Sequence, residues 1–264
     1  MTPVSPEQLR STMLNILSEI HSFCEKYSLR YFMAFGTLLG AVRHKGFIPW
    51  DDDVDIWMPR PDYERFLDTF NHPFYKMLTA RKDSRYPLDF AKVHDERTLV
   101  EEIGGDGNWG IFVDVFPLDG MPSEEEFQRL KKRVAAVRRV IANQRFTRKF
   151  SISRETGLKK SLAAIAGRIA HPFIKLSWLI RKEESIMSCH DYDTCPFISD
   201  LTDIHPLLFE REIATERILL DFEGRQFYAP KEYDKWLTIL FGDYMTPPPE
   251  EKRVSNHGIK AYFK

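Results

Sequence analysis

The stretch Trp50-Asp51-Asp52-Asp53-Val54-Asp55-Ile56-Trp57-Met58 decides how the rest of the chain is read. Read as a strand over 51–58, alternate residues share a face. Asp51, Asp53 and Asp55 then point one way, while Asp52, Val54 and Ile56 point the other, where Val54 and Ile56 enter a core. Three carboxylates on one face repel each other, so without a cation some must protonate or splay apart. A hard divalent cation such as Mg²⁺ or Mn²⁺, which takes oxygen ligands, removes that penalty. The ordinary alternative is a solvated acidic turn, and a β-promoting context that alternates with apolar residues is a poor place for one. A calcium loop fails on two positions. Counting from Asp51, Ile56 stands where the sixth residue must be Gly, and Asp62 where the twelfth must be Glu.

Working outward, two further elements join the acidic stretch. Asp114 lies inside the apolar run Ile111-Phe112-Val113-Asp114-Val115-Phe116. A carboxylate there is costly unless it is ion-paired or metal-bound. If that run is a strand beside the first, Asp53, Asp55 and Asp114 form a three-carboxylate platform. Two cations about 3.5–4 Å apart on such a platform activate an attacking hydroxyl and stabilise a leaving phosphate. Upstream, Gly36-Thr37 precedes a short helical segment. Gly lets the backbone approach a phosphate, Thr offers a hydroxyl, and the helix start offers free N–H groups.

Composition sets the limits. The chain has 264 residues, 43% of them hydrophobic, with a formal net charge of -1. That supports one core plus a smaller lobe, and it argues against a surface coated in basic charge for nucleic acid. Three cysteines make no disulfide framework and fit a reducing, cytoplasmic compartment. The spacing of Cys189-His190 and Cys195 does not match common zinc sites, so these read as ordinary thiols. No secretion signal is visible at the N-terminus. The most apolar window, 162–180, contains Arg168, His171, Pro172 and Lys175, which fits a broken amphipathic helix rather than a membrane span.

Along the chain, Ser5-Pro6-Glu7-Gln8 predicts a helix start with a capping box, and Leu9, Met13, Leu17, Ile20 and Cys24 recur at helical spacing up to 26 or 27. Strands are expected at 30–35, 51–58, 88–94, 98–102 and 111–116, the last ended by Pro117. Helices are expected at 38–44 and 62–70, and a long one follows Ser123. Asp119 before Gly120 reads as turn chemistry. The predicted architecture is α+β: a small mixed-sheet core over 1–120, then a largely helical lobe over 121–264.

Two blocks, Phe35-Gly36-Thr37-Leu38-Leu39-Gly40-Ala41-Val42-Arg43 and Pro49-Trp50-Asp51-Asp52-Asp53-Val54-Asp55, closely resemble the LicD family, whose distant animal relatives include fukutin and fukutin-related protein. The resemblance continues through Lys92, Arg97-Thr98, the block 112–120, Phe222-Glu223-Gly224, Pro230 and Phe241-Gly242-Asp243-Tyr244-Met245. It implies a nucleotidyltransferase core of the DNA-polymerase-β-like type. Thr37 stands where that superfamily usually has Gly or Ser, and the gap from there to Asp53 is longer than the general pattern.

By this resemblance, the chain is a metal-dependent phosphotransferase. It would move phosphocholine from CDP-choline to a hydroxyl of a cell-surface glycan, teichoic acid or lipooligosaccharide, with CMP leaving. Glycerol phosphate or ribitol phosphate from a CDP-alditol is the near alternative, and nucleotidylyl transfer from a nucleoside triphosphate the further one. Asp53, Asp55 and Asp114 are the expected catalytic residues. With Asp51 they are the expected ligands of Mg²⁺ or Mn²⁺. Gly36, Thr37, Arg43 and Lys92 are expected on the donor phosphate. The basic residues of 129–149 could face anionic lipid beside a lipid-linked acceptor at the inner membrane face.

Overall fold

The computed structural model describes residues 1–101, 109–149, 176–254 and 258–264, with side chains to 142 in the long helix. The first helix, α1 (Pro6–Tyr27), follows β1 (Thr2–Pro3) and starts where the capping box places it. Gln8 N donates to Ser5 Oγ at 3.2 Å, and Ser5 N donates to Gln8 Oε1 at 2.8 Å. The apolar stripe of α1, Leu9, Met13, Ile16, Leu17, Ile20 and Cys24, is fully turned into the core. Each such side chain contributes about 1.5–3 kcal/mol by leaving water.

Next come β2 (Phe32–Met33), α2 (Phe35–His44), β3 (Asp55–Pro59), α3 (Arg60–Thr69), β4 (Tyr75–Leu78), β5 (Ala91–Asp95), β6 (Thr98–Glu101) and β7 (Phe112–Met121). After them lie α4 (Glu124–Lys149), α5 (Leu176–Met187), β8 (Phe197–Ser199), β9 (Phe209–Glu210), β10 (Arg217–Phe222), β11 (Arg225–Pro230), α6 (Tyr233–Phe241) and β12 (Lys260–Phe263). The main sheet runs β2-β3-β7-β5-β4, with β8 on the far part of β7 and β9 on β8. It is mixed: β3 and β7 are parallel, and the other pairs are antiparallel. A second sheet, β1-β12-β6, carries the last strand back to the first.

The α+β expectation with a mixed sheet holds. Three details differ from the sequence reading. The acidic strand begins at Asp55, so Asp51–Val54 lie outside it. The parallel register with β7 starts at Asp55–Asp114, and Val54 O accepts from Asp114 N at its edge. Second, β7 passes through Pro117 to Met121. Pro117 falls after the last β5 partner, Val115, and before the first β8 partner, Asp119, where a missing N–H leaves that side of the ladder intact. Third, the part beyond residue 120 has the expected helices but also β8 to β12. These strands are short, and two of them pair back onto β7 and β6.

One hydrophobic cluster accordingly takes Leu17, Ile56 and Val115 from the first part of the chain and Phe222, Leu237 and Ala261 from the second. A second cluster under the opposite sheet face is aromatic, with Trp236 stacked between Trp57 at 4.9 Å and Phe209 at 4.7 Å. The apolar window 162–180, up to residue 175, lies outside the described residues.

Candidate active site

The site is built where β3 begins its parallel pairing with β7. Asp55 and Asp114 are partners in the parallel register, and Lys92 of β5 is the partner of Asp114 on its other flank. Asp114 N donates to Val54 O at 2.9 Å, and Ala34 N donates to Asp55 O at 2.9 Å, so both aspartates sit on fixed backbone. Both are buried at 8% exposure. The carboxyl of Asp55 is pushed well above its ordinary range, first by burial, then by Asp53, Asp114 and Asp51, with Lys92 opposing. Asp51 and Asp53 therefore act on Asp55 as expected, although they reach it from a loop and not along a strand.

That loop is held from three sides. The Arg10 guanidinium of α1 donates to Ile48 O at 3.3 Å, Pro49 O at 2.7 Å and Asp51 O at 3.2 Å. Ile259 N donates to Asp52 Oδ2 at 3.3 Å. The tip of the β10–β11 hairpin reaches the loop's start: Phe47 N donates to Glu223 Oε1 at 3.0 Å, and Glu223 N to Lys45 O at 2.9 Å. Glu223 and Gly224 both have positive φ, 53° and 72°, which is the two-residue turn that suits a hairpin. The 222–224 block thus supports the acidic loop from a distance of about 170 residues in the chain.

The remaining predicted residues fall into separate places. Gly36 lies in the first turn of α2, and a Cβ there would stand 2.4 Å from Asp51 Oδ2. Its small size is used by the Asp51 carboxylate. Thr37 is buried, and its Oγ1 accepts from Asp55 N at 2.8 Å, so it fixes the start of β3. Lys92 pairs with Asp114 at 2.8 Å and lies 3.4 Å from the Phe112 ring centre, so its charge is directed at the carboxylates. Asp119 is not a turn residue. It is fully buried in β7 and accepts from Arg60 Nε at 2.6 Å and Nη2 at 2.7 Å.

Arg43 Nη1 donates to Tyr244 O at 2.7 Å, which joins α2 to the 241–245 block. Arg253 Nε donates to Pro248 O at 2.8 Å, and its guanidinium lies 5.6 Å from the Trp50 ring centre. Both guanidiniums thus bond backbone carbonyls. Burial first, then the like charge of Arg253, lowers the proton affinity of Arg43. Sequence reading named neither Arg253 nor Arg10. Arg253 follows a proline loop and carries no spacing signal, and Arg10 lies on the polar side of α1.

A cavity of about 310 Å³ opens beside the acidic loop. Its walls include Val4, Leu9, Trp50, Asp51, Asp52 and Ile259. The larger cavity of about 580 Å³ lies elsewhere, against α6 and β9.

The donor chemistry fits a hard divalent cation. Three carboxylates, those of Asp53, Asp114 and Asp51, act on the buried Asp55 carboxyl, with the Lys92 ammonium opposing them. All-oxygen donors of this kind suit Mg²⁺ or Mn²⁺.

A buried acidic pair on two parallel strands, with an acidic loop beside it, is an oxygen-donor arrangement of the kind that can hold divalent cations against a phosphate. Comparison gives the family. Residues 28–131 match the family model described as LicD/FKTN/FKRP, nucleotidyltransferase domain. The chain is 34% identical over 261 residues to the lipopolysaccharide cholinephosphotransferase LicD of Haemophilus influenzae, covering 95% of each chain. Uncharacterised proteins of Rickettsia typhi and Rickettsia prowazekii match more briefly. They are 36% identical over 28% of this chain and 24% of theirs, and 41% identical over 33% and 35%. The chain belongs to the LicD family.

Proposed function

We propose that this enzyme transfers phosphocholine from CDP-choline to a sugar hydroxyl of a lipopolysaccharide-type surface glycan and releases CMP. The observation that carries this is the buried Asp55–Asp114 pair, charged against its own burial unless a cation is shared. The Haemophilus relative, a lipopolysaccharide cholinephosphotransferase matched along nearly its whole length, supports the head group and the acceptor class.

In the reaction, the acceptor oxygen forms a bond to the phosphorus that bears choline, and the bond from that phosphorus to the CMP oxygen breaks. Asp53, Asp55 and Asp114 would hold Mg²⁺ or Mn²⁺, with Asp51 beside them. The metal, when bound, would neutralise phosphate charge and help ionise the attacking hydroxyl. The chain's own part is positional, as expected for phosphoryl transfer. Thr37 fixes the backbone of Asp55. Lys92, paired with Asp114 at 2.8 Å, sets its positive charge against that carboxylate in either role open to it, ligand or proton acceptor. Arg43 and Arg253, two like charges that disfavour each other, would take the donor's phosphate charge.

The cavity beside Asp51 favours choline over an alditol. A trimethylammonium group donates no conventional hydrogen bonds and prefers an aromatic face with nearby negative charge. Trp50, Asp51 and Asp52 supply these, with Val4, Leu9 and Ile259 as apolar walls, while Arg10, which also lines the cavity, is bonded to the carbonyls of Ile48, Pro49 and Asp51. Peripheral membrane contact is proposed through the exposed Lys132, Arg133 and Arg139 of α4. Arg138 is not part of it, because it is ion-paired to Glu183 and Asp89. Arg145, Arg148 and Lys149 have side chains outside the described residues. Among the described residues no helix is long and apolar enough to cross a membrane.

A thermal-shift series with CDP-choline, CDP-glycerol and CDP-ribitol, each with and without Mg²⁺ or Mn²⁺, tests the donor. Metal-dependent stabilisation by CDP-choline above the other two is expected. A stronger response to a CDP-alditol would move the reading to alditol phosphate transfer, and a response only to nucleoside triphosphates would overturn it.

A further inference from the structure

We propose that Glu126, Cys189 and His190 form a second metal site, of the zinc class, separate from the aspartates. One ligand atom of each, a carboxylate oxygen, a thiol sulfur and an imidazole nitrogen, lies within 4.8 Å of both others. A tetrahedral zinc ion with bonds of roughly 2.0–2.3 Å holds its ligand atoms less than about 4 Å apart, so only a small contraction is needed. The donor set is mixed sulfur, nitrogen and oxygen. It suits Zn²⁺ or Co²⁺ and contrasts with the all-oxygen aspartate cluster, which suits Mg²⁺.

The three residues come from two elements already packed together. Glu126 is in the first turn of α4, and Cys189-His190 follow directly on α5. Phe127, Leu130 and Val134 of α4 meet Ile186 and Met187 of α5 in one buried cluster just beneath. The backbone is therefore fixed before any ion arrives. His190 Nε2 already lies 3.0 Å from Glu126 Oε1. The competing cation is Arg129, bonded to Glu126 through Nε and Nη2, both at 2.6 Å. Its side chain is 64% exposed and can turn into solvent when an ion replaces it. Chain spacing hid the site, since the carboxylate comes from 63 residues before the cysteine. Three protein ligands leave a fourth position to water, and the ion would clip the start of α4 to the end of α5.

Cobalt titration of the full chain tests this, because a cobalt–thiolate bond gives a charge-transfer band that carboxylate ligation does not. The wild type and Asp55→Asn should each take up one cobalt with that band, and zinc should bleach it. Cys189→Ser should lose the band, and His190→Asn should weaken cobalt binding at least tenfold. Zinc should raise the melting temperature of the wild type but not of Cys189→Ser, whose metal-free melting temperature should match the wild type. A band that survives Cys189→Ser, or a wild type that shows none, overturns the assignment whatever the aspartate site does.

Discussion

Asp55 and Asp114 face each other as register partners at the first rung of the parallel β3–β7 pair, and both are buried. Everything around them follows from the cost of that placement. Lys92 offsets one charge, and three further elements hold the acidic loop close.

Asp55→Asn removes a charge that burial and three carboxylates already disfavour. Without metal at pH 7 its melting temperature should equal or exceed that of the wild type. Stabilisation by Mg²⁺ should vanish, and turnover should fall more than about a hundredfold, on the order of 3 kcal/mol. Calorimetry and a turnover assay on the same preparation check it. A folded variant with retained turnover would remove Asp55 from the site.

Thr37→Val keeps the shape of the side chain and removes the acceptor for Asp55 N. A buried N–H left without its partner costs about 1–3 kcal/mol. Urea unfolding should show that loss, with reduced turnover, while Thr37→Ser should stay near wild type. Equal stability of the two variants would mean that the 2.8 Å bond carries little.

Two buried acids, Asp119 and Asp200, show what the sequence could and could not say. The capping box of α1 and its apolar stripe were legible, because each depends on local spacing, whereas the strand read through Asp51 and Asp53 begins only at Asp55. The role of Asp119 was not. Its partner Arg60 lies 59 residues away, and Asp-Gly in isolation reads as a turn. Strand limits were also hidden, since they depend on pairing between distant segments: β3 joins β7 only from Asp55, and β7 crosses Pro117 between its β5 and β8 partners. Arg10 and Arg253 reach the site only through the folded chain. Asp200, buried under Trp57, belongs to the same class of long-range partner.

Asp119→Asn leaves the Arg60 guanidinium buried without its counter-charge. Breaking such a pair from one side costs about 3–5 kcal/mol. Chemical denaturation checks the size. A loss under about 1 kcal/mol would mean that Arg60 finds another partner, with Glu64 at 3.3 Å the nearest candidate.

Asp200 accepts from Trp57 Nε1 at 2.9 Å and from Thr202, yet burial pushes its carboxyl up to about 7. The sign follows from proton counts. Below about pH 4 both the folded and unfolded forms hold the proton, so there is no penalty. Between about 4 and 7 the unfolded chain releases it first, so stability falls as pH rises, by up to about 4 kcal/mol, and then levels off. Unfolding midpoints across this window should decline less in Asp200→Asn than in the wild type. Identical slopes would contradict a raised Asp200.

Arg43→Ala and Arg253→Ala should raise KM for the donor on the order of tenfold, about 1.4 kcal/mol each, with a smaller change in kcat. Steady-state kinetics with the acceptor saturating separate the two. An unchanged KM in both variants would take this pair out of the donor site.

The most direct measurement follows choline-labelled CDP-choline with a lipooligosaccharide acceptor, with and without Mg²⁺ or Mn²⁺, in the wild type and Asp114→Asn. The expected result is metal-dependent CMP release, matched mole for mole by label on the glycan, and absent from the folded variant. Label transfer that persists in Asp114→Asn, or pyrophosphate release from a nucleoside triphosphate with no reaction of CDP-choline, would contradict phosphocholine transfer at the Asp55–Asp114 pair.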